Sequence, residues 1–413
     1  MASNNNSIQE TYQPNSNIYK YSVEMSYVLS QDDISNIDSM SIKSIAIDSD
    51  YKNANMPMLF ITLSLNKRLI DKMVKNQDTG IMILNIKRCT VTSDMPDLYA
   101  NYINDKFIYF ISEDINKNDS ADYEGANADR NDIYKLTTIG LLSLDHVNKN
   151  KKVMNGVVNG KLSSIMYYLT SHLPIVIEPP TTNTTLKNQF LPPLNSVAKA
   201  LKYINSINVF YSTPYRFFID FGVSYLLSSS GLPIKQKGED IGTVLLVLKN
   251  SYDEGSKVQG MITSEEQSMY QIEIDAQDCE LADNHVSDKS YSKLSVTNTS
   301  GNKVDASLSN KSESSSIVSK TRSVRVSNDN TGLIDNMISS LDNSAVQLLV
   351  QKNDIDSSVL TMNKEYFIKA DEVYGSDKYN GRYLLTRKRE LYIREDDDFS
   401  MDVMLLLEKI ATK

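Results

Sequence analysis

The chain has 413 residues, of which 40% are hydrophobic and 23% are charged, so it is globular and long enough for roughly two to four domains. Its formal net charge is −9 and it has no basic stripe, which argues against a nucleic-acid-binding surface. Two distant cysteines, Cys89 and Cys279, and three scattered histidines exclude a disulfide framework and a structural zinc site.

The sequence predicts no membrane anchor. The polar N-terminus lacks the basic and then apolar layout of a signal peptide. No apolar run approaches the roughly 20 residues that a membrane-spanning helix needs. We therefore expect the protein to be made and kept in cytosol-like solution, or to leave the cell by a route that needs no signal.

The N-terminal part of the chain is predicted to be β-rich. Residues 1–18 are rich in Asn and Ser, which predicts a disordered segment. Residues 19–115 are predicted to form a first β-barrel domain, with a sandwich as the alternative, because period-two alternation and short apolar runs recur. The predicted strands are 18–29, 41–50, 56–66, 80–92 and 106–114, with a short helix at 65–76.

Residues 116–190 are predicted to form an inserted domain and an extended linker. The polar segment 116–132 is interpreted as a loop, with a calcium loop as the alternative. Its oxygen donors do not match the twelve-residue calcium pattern, so no metal is predicted; they are Asp119, Asp122, Glu124, Asp129 and Asp132. We expect a strand or strand pair at 133–147 and an extended connector at 178–193. A helix is predicted within 157–173 from apolar residues at helical spacing, namely Leu162, Ile165, Met166 and Leu169.

Residues 191–280 are predicted to contain a helix, an aromatic-rich segment and a second β-barrel region. The helix, at about 195–205, has an apolar face made of Val197, Ala200, Leu201 and Ile204. The aromatic residues that follow are Phe210, Tyr211, Tyr215, Phe217, Phe218, Phe221 and Tyr225. Because large rings bury the most area per residue, this segment is predicted to seed a core or a subunit contact, and we take it as a candidate assembly interface.

The C-terminal part is predicted to complete a barrel. Residues 281–330 are rich in Ser, Asn and Lys but keep valines at alternate places, which favours a β-excursion over a floppy linker. Residues 331–413 are predicted to form a helix, a strand at VQLLVQ and three or four antiparallel strands. Asn380-Gly381 is a tight-turn signal within them.

No motif of an enzyme or of a cofactor site is present, so we predict a protein that is not an enzyme and binds no cofactor. There is no nucleophile elbow, phosphate-binding glycine loop or zinc-binding pair. Asp220 among aromatic rings could serve as an acid in a sugar cleft, or it pairs with Arg216 or Lys202 or caps a turn. The acids 395–398 are interpreted as a solvated turn, and His172 as a cap or surface residue.

Three stretches resemble the baseplate hub proteins of contractile-tailed bacteriophages. They are FLPPLNSVAKALKYINSINVFYSTPYRFFIDFGVSYLLSSSG at 190–231, MNGVVNGKLSSIMYYLTSH at 154–172, and the pair DIDSSVLTMNKEYFIKA and YNGRYLLTRKRELYIRED at 354–370 and 379–396. The resemblance covers about the last two thirds of the chain. It depends on aromatic and apolar signatures and not on catalytic residues.

The resemblance implies a mainly β, α+β fold with two tail-tube-like β-barrels and inserted smaller α/β domains. It implies a homotrimer that joins a sixfold tail tube to a threefold central spike, is related to the hub module of type VI secretion spikes, and contacts wedge proteins. DNA would pass through its lumen without specific binding. We expect assembly in the host cytoplasm and a place in the virion baseplate. The alternatives are another tail or injection-system component, such as a distal tube or wedge protein, and a wall-acting glycosidase.

Overall fold

A computed structural model describes most of the chain. The described residues are 11–14, 18–51, 56–91, 99–111, 134–150, 154–171, 173, 175–211, 215–220, 223–228, 242–249, 259–263, 268–281, 291–298, 303–310, 320–325, 345–350, 357–362, 364–370 and 379–410. Nothing is stated below about the structure of the remaining residues.

The described residues form strands and short helices in this order: β1 Thr11–Pro14, β2 Ile18–Ser30, β3 Asp33–Ile37, β4 Ile42–Asp50, β5 Met58–Asn66, α1 Lys67–Lys75, β6 Ile81–Val91, β7 Tyr99–Ile111, β8 Tyr134–Ser143, α2 Leu144–Asn150, β9 Met154–Lys161, α3 Leu162–Thr170, β10 Ile175–Ile177, β11 Thr185–Asn195, α4 Val197–Ile207, β12 Tyr215–Asp220, β13 Val223–Ser228, β14 Thr243–Lys249, β15 Gln259–Thr263, β16 Ser268–Asp275, β17 Cys279–Leu281, β18 Tyr291–Asn298, β19 Lys303–Asn310, β20 Lys320–Arg325, β21 Ala345–Val350, β22 Glu365–Ala370, β23 Gly381–Glu395 and β24 Asp398–Lys409.

Eight strands close a first barrel. Around it the order is β2, β6, β7, β8, β5, β4, β23 and β24, and β24 pairs back to β2 through Tyr21 and Phe399. The alternation of buried and partly exposed residues along β5 is the period-two pattern of a strand with one face on a core. Asn66 caps α1 at the end of β5, since its side chain accepts from the Leu69 amide.

A second set of strands encloses another part of the core. Its order is β17, β21, β24, β23, β22, β14 and β16, with β15 and then β1 beyond β16. A 3-10 turn at Ala276–Asp278 joins β16 directly to β17, so the second barrel is linked there by the chain and not by pairing between these two strands. β14 pairs in parallel with β16 and β22, and Val244, Leu246 and Leu248 are buried on one of its faces.

The hairpin of β23 and β24 belongs to both barrels. The first part of β23 pairs with β22 and its second part pairs with β4. β24 pairs with β21 and, through one residue pair, with β2. The turn at its far end consists of Asp396 and Asp397, and Asp396 has a positive φ of 53°. Asp tolerates this left-handed conformation better than most residues, so the turn suits its sequence.

A small α/β domain follows the first barrel strands. It contains the antiparallel ribbon of β9 and β11, the three-stranded sheet of β10, β13 and β12, and the helices α3 and α4. Its core is built from the apolar faces of the two helices, which include Leu162, Ile165, Met166, Leu169, Val197, Ala200, Leu201 and Ile204. These eight residues are the helix faces that the sequence predicts.

The fold confirms the predicted class, a mainly β chain with two barrels and an inserted α/β domain. The sequence places the first barrel at 19–115, whereas its strands also include β8 and the C-terminal hairpin. Pairing between segments nearly 350 residues apart leaves no local signal. The excursion at 281–330 contains a three-stranded antiparallel sheet of β18, β19 and β20, as the β prediction expects.

Several local predictions differ from the structure. Residues 11–14 form β1 and pair with β15, where disorder is predicted, because a partner strand from far along the chain satisfies their backbone. The segment 133–147 is a strand followed by helix α2, and the helix predicted at 157–173 is preceded by β9. Within the 178–193 connector, β11 pairs with β9. The loop at 116–132 and the helix expected after residue 330 lie outside the described residues.

Gly140 gives a first testable prediction. An alanine Cβ at this position in β8 would lie 2.0 Å from the ring of Phe110, which covers the glycine from β7. We expect Gly140→Ala to lower the free energy of unfolding by about 1–3 kcal/mol, because the ring must move from its packing beside Phe60. Urea denaturation measures the loss. In a Phe110→Ala background the same glycine change should cost much less, and an equal cost would contradict the clash.

Candidate functional site: the junction between the barrels and the small domain

Strand β12 presents two different faces to its surroundings. Phe217 and Ile219 belong to the core of the small domain, whereas Phe218 belongs to the core of the barrels. Side chains alternate along a strand, so Arg216 and Asp220 share the face of Phe218. This strand therefore joins the small domain to the barrels through one aromatic ring flanked by two charged residues.

Phe218 is the apolar centre of the junction. Its ring is stacked on Tyr225 of the neighbouring strand, with centroids 4.9 Å apart and planes at 10°. The ring of Tyr51, at the end of β4, lies 5.0 Å away on a tilt. Because Tyr51 belongs to the first barrel, this three-ring stack ties the small domain to it.

Asp220 lies beside the same tyrosine. The hydroxyl of Tyr51 donates to Asp220 Oδ2 at 3.2 Å, and the backbone N–H of Tyr51 donates to the carbonyl of Thr386 in β23. Burial raises the pKa of Asp220, and the charge of Lys388 together with the Tyr51 hydrogen bond opposes that rise. The structure thus gives Asp220 a tyrosine partner and shows no ion pair with Arg216 or Lys202 among the described residues.

Lys388 and Glu390 form a buried ion pair on β23. Lys388 Nζ lies 3.1 Å from Glu390 Oε1, and Glu390 is only 2% exposed. Tyr102 donates to Oε1 and Tyr392 to Oε2, at 2.8 and 3.1 Å, while Tyr102 also bonds Ser357. Burial is the largest single influence on Lys388 and lowers its pKa, but the acidic groups around it, Glu390 first among them, together outweigh burial, so the pKa is raised. The lysine is therefore charged at neutral pH.

Arg216 is the second charged residue on the junction face of β12. It is 6% exposed, and its Nε and Nη1 have no hydrogen-bond partner among the described residues. Burial lowers the pKa of Arg216 to about 10, and the carboxylates of Glu408 and Glu178 oppose this shift. The guanidinium stays charged at neutral pH and adds electrostatic attraction between β12 and the end of β24.

These groups connect elements of the barrels and of the small domain. Two carboxylates are needed for glycoside hydrolysis, and the two whose charges act on Lys388 are Glu390 and Asp220. Glu390 is buried under two tyrosine hydroxyls, and Asp220 lies against Tyr51 between two packed cores. A sugar chain could not reach both without opening the junction.

The predicted aromatic segment is largely core in this chain. Four of its rings, Phe210, Tyr211, Phe217 and Phe218, are at most 7% exposed and pack within the chain itself. Tyr215 and Tyr225 are partly buried against the same cores, and Phe221 lies outside the described residues. The sequence predicts that this segment seeds either a core or a subunit contact. For the four buried rings the core is what the structure has, because their area is already removed from water within one chain. An assembly role for the segment stays a prediction.

Among the described residues, the others singled out by sequence lie outside the junction. His146 is buried in α2, and burial lowers its pKa; His172 and His285 lie outside the described residues. Cys89 and Cys279 are buried free thiols, and burial raises the pKa of Cys279 to about 12. Among the described residues no group of three or more His, Cys, Asp or Glu is placed to hold a metal. No helix in the described part of the chain is long and apolar enough to span a membrane.

The junction residues on β23, Lys388 and Glu390, are missed by sequence reasoning. They lie in the run TRKRELYIRE, where residues 387–390 are four consecutive charged residues with no local mark of burial. The signal that could have found them is the period-two alternation of the strand, since Lys388, Glu390 and Tyr392 lie on one face of β23 and are all buried.

A second testable prediction concerns pH. The raised pKa of Asp220 means that the folded state binds its proton more tightly than the unfolded chain does, so stability falls as the pH rises above about 4. Asp220→Asn keeps an acceptor for Tyr51 and removes the charge. The variant should be at least as stable as the natural chain at pH 7. Near pH 4 the two chains should have nearly the same free energy of unfolding. Urea denaturation across this range tests it; a variant weaker only at pH 7 would show that the charge stabilises the junction.

The fold and the junction define a structural protein architecture of two barrels sharing one hairpin, with a small domain attached to the shared strands. Residues 15–410 match the family model described as Bacteriophage PBS1 gene 109 protein. Because this match spans nearly the whole chain, the protein belongs to that bacteriophage family. No curated protein matches the chain.

Solved structures of similar overall arrangement come from bacterial genomes. The tail protein from Neisseria meningitidis MC58 is 11% identical over 94% of this chain and 96% of that chain, with a TM-score of 0.44. The 43 kDa tail protein of prophage MuSo2 from Shewanella oneidensis is 9% identical over 93% and 96%, with a TM-score of 0.39. The E. coli c3393 protein, a type VI secretion component, is 6% identical over 98% and 77%, with a TM-score of 0.38.

Proposed function

We propose that this protein is the structural hub of a contractile phage baseplate and assembles as a trimeric ring. The observation that carries the proposal is the hairpin of β23 and β24, which belongs to both barrels of one chain. A strand pair common to both barrels favours a fixed angle between them, since bending there would break pairing on both sides. Three copies would therefore present six barrels in a ring.

The ring would reconcile two symmetries. Its six barrels would meet a sixfold tail tube protein on one side, while its true threefold axis would suit a central spike protein on the other. Wedge proteins are further expected partners, and DNA would pass through the lumen without specific binding, in keeping with the net charge of −9. The expected location is the virion tail baseplate, after assembly in the host cytoplasm.

The buried junction supports a structural role. A collar that transmits force along the tail needs its domains to keep their relative positions. The three-ring stack around Phe218 and the buried pair of Lys388 and Glu390 connect the small domain and both barrels. Such packed, hydrogen-bonded contacts are costly to open, because each would leave buried polar groups without partners.

Mass photometry of the purified chain, alone and with tube and spike proteins, tests the proposal. We expect a species of about three times 46.5 kDa, alone or on addition of the spike. A sixfold species would support a distal tube component. A chain that stays a monomer beside both partners would contradict the hub.

The absence of catalysis is tested separately. We expect purified protein to release no soluble glycan from peptidoglycan, and Asp220→Asn to leave this unchanged. Glycan release by the natural chain that disappears in Asp220→Asn would establish the glycosidase alternative instead.

A further inference from the structure

We infer that the outward face of the β9–β11 ribbon is a contact surface for a second copy of this chain. The inference deepens the proposed trimer, on which it rests, by naming where one subunit meets the next. It concerns Val157, Phe190, Lys161 and Lys187, none of which takes part in the junction.

The ribbon carries an apolar pair that the chain leaves in water. Val157 of β9 and Phe190 of β11 are direct cross-strand partners, and they are 58% and 59% exposed. The opposite face of the ribbon is already used, since Met154, Val158, Leu186 and Leu191 are buried in the core of the small domain. A paired valine and phenylalanine on the outer face favour contact with another protein surface, because burying them would be worth about 25 cal/mol per Å².

Two lysines lie at one end of this pair on the same ribbon. Lys161 ends β9 and Lys187 lies near the start of β11, and both are exposed. Neither forms an ion pair with a described residue. The ribbon therefore presents an apolar pair with positive charge at one end, which fits a partner surface that is acidic and partly apolar.

The rest of the chain has the complementary charge. Residues 154–228 contain five basic and two acidic residues, which gives +3, and subtracting this from the total of −9 leaves −12 for the remainder. The small domain is thus a basic body on an acidic protein. A second copy of the same chain offers the acidic surface that the ribbon requires.

The turn of the β23–β24 hairpin is the described acidic surface that fits best. Glu395, Asp396 and Asp397 are consecutive and exposed, while Lys20 pairs with Asp398 at 3.0 Å. Next to the turn, Arg394 contacts Met40, which is 56% exposed and would meet the apolar centre of the ribbon.

Contact between two different patches is head-to-tail, and such contacts generate rings when the rotation closes. Three copies related by a third of a turn would each use the ribbon once and the acidic turn once. Duplex DNA is the competing partner for the lysines, but its phosphate backbone would leave Val157 and Phe190 in water.

The test combines charge reversal with crosslinking in the full chain. The double variant Lys161→Glu/Lys187→Glu should raise the dissociation constant of the trimer at least tenfold and shift its mass toward the 46.5 kDa monomer. The matched control is Lys199→Glu/Lys202→Glu, which makes the same charge change on α4 of the same domain. Thermal unfolding and circular dichroism confirm that both variants are folded.

A photoreactive phenylalanine analogue at position 190 identifies the partner directly. We expect a crosslink to a peptide that contains 395–398 of another copy, and restored association when Lys161→Glu/Lys187→Glu is mixed with an Asp396→Lys/Asp397→Lys partner. A trimer that forms normally in the ribbon variant, without crosslinks from 190, would overturn the inference and leave the hub intact. The inference would also be overturned if the α4 control weakened the trimer as much as the ribbon variant does, or if position 190 crosslinked to added DNA. A natural chain that never trimerises would contradict the hub itself.

Discussion

Phe218→Ala is expected to lower the free energy of unfolding by about 3–5 kcal/mol, the usual cost of removing a fully buried phenylalanine. The ring is 1% exposed and lies between Tyr51 and Tyr225, so its removal leaves a cavity where the small domain meets the first barrel. The neighbouring rings are held by their own strands and cannot collapse into the space. Urea denaturation followed by circular dichroism measures the loss.

The chain offers a matched control for this change. Phe190→Ala removes a ring of the same size that is 59% exposed, so the free energy of unfolding of the monomer should change by less than about 0.5 kcal/mol. Similar losses for both variants would show that Phe218 is not in the packed junction. A further result would be that Phe218→Ala prevents trimer formation while Phe190→Ala leaves the fold intact. In that result, loss of the junction packing explains why the Phe218 variant does not assemble.

Glu390→Ala is expected to lower the free energy of unfolding by a similar amount, about 3–5 kcal/mol, for an electrostatic reason. The change removes the partner of Lys388 and leaves an uncompensated charge in a nearly dry environment. It also leaves the hydroxyls of Tyr102 and Tyr392 without the acceptor they share. The loss should be largest at neutral pH, where Lys388 is charged.

Two further variants separate the ion pair from the packing. Lys388→Met alone removes the lysine charge, and Lys388→Met/Glu390→Leu removes both charges while keeping volume. The double variant should be clearly more stable than Glu390→Ala, since no buried charge remains. As a control, Lys20→Ala breaks the exposed pair with Asp398 and should cost less than about 1 kcal/mol. A double variant as unstable as Glu390→Ala would contradict the electrostatic explanation.

Local sequence patterns predict helices and strands correctly where an element packs one face against a single core. The faces of α3 and α4 and the strands β2, β4, β5, β6 and β21 to β24 follow from spacing alone, because periodicity reports burial directly. The aromatic segment was recognised as apolar, but spacing could not distinguish an internal core from a subunit contact. That choice depends on which strands lie across from Phe217 and Phe218.

The candidate site was the part that the sequence revealed least. Asp220 was identified as an unusual acid, yet its partner Tyr51 lies 169 residues away, and no local pattern could supply it. Nothing in the local sequence marks Lys388 and Glu390 as buried, because residue type alone does not report which face of a strand a residue occupies. Only the pairing of β23 with β4 places them between the barrels.

The sequence by itself determined that this chain is mainly β, acidic, built around an aromatic segment and without the motifs of catalysis. The tertiary structure decided that one C-terminal hairpin completes both barrels and that charged residues lie buried where the domains meet. The physical reason is that residue type and spacing set which surfaces avoid water. Which of those surfaces meet depends on strand pairing between distant segments, and its energy appears only when the whole chain is folded.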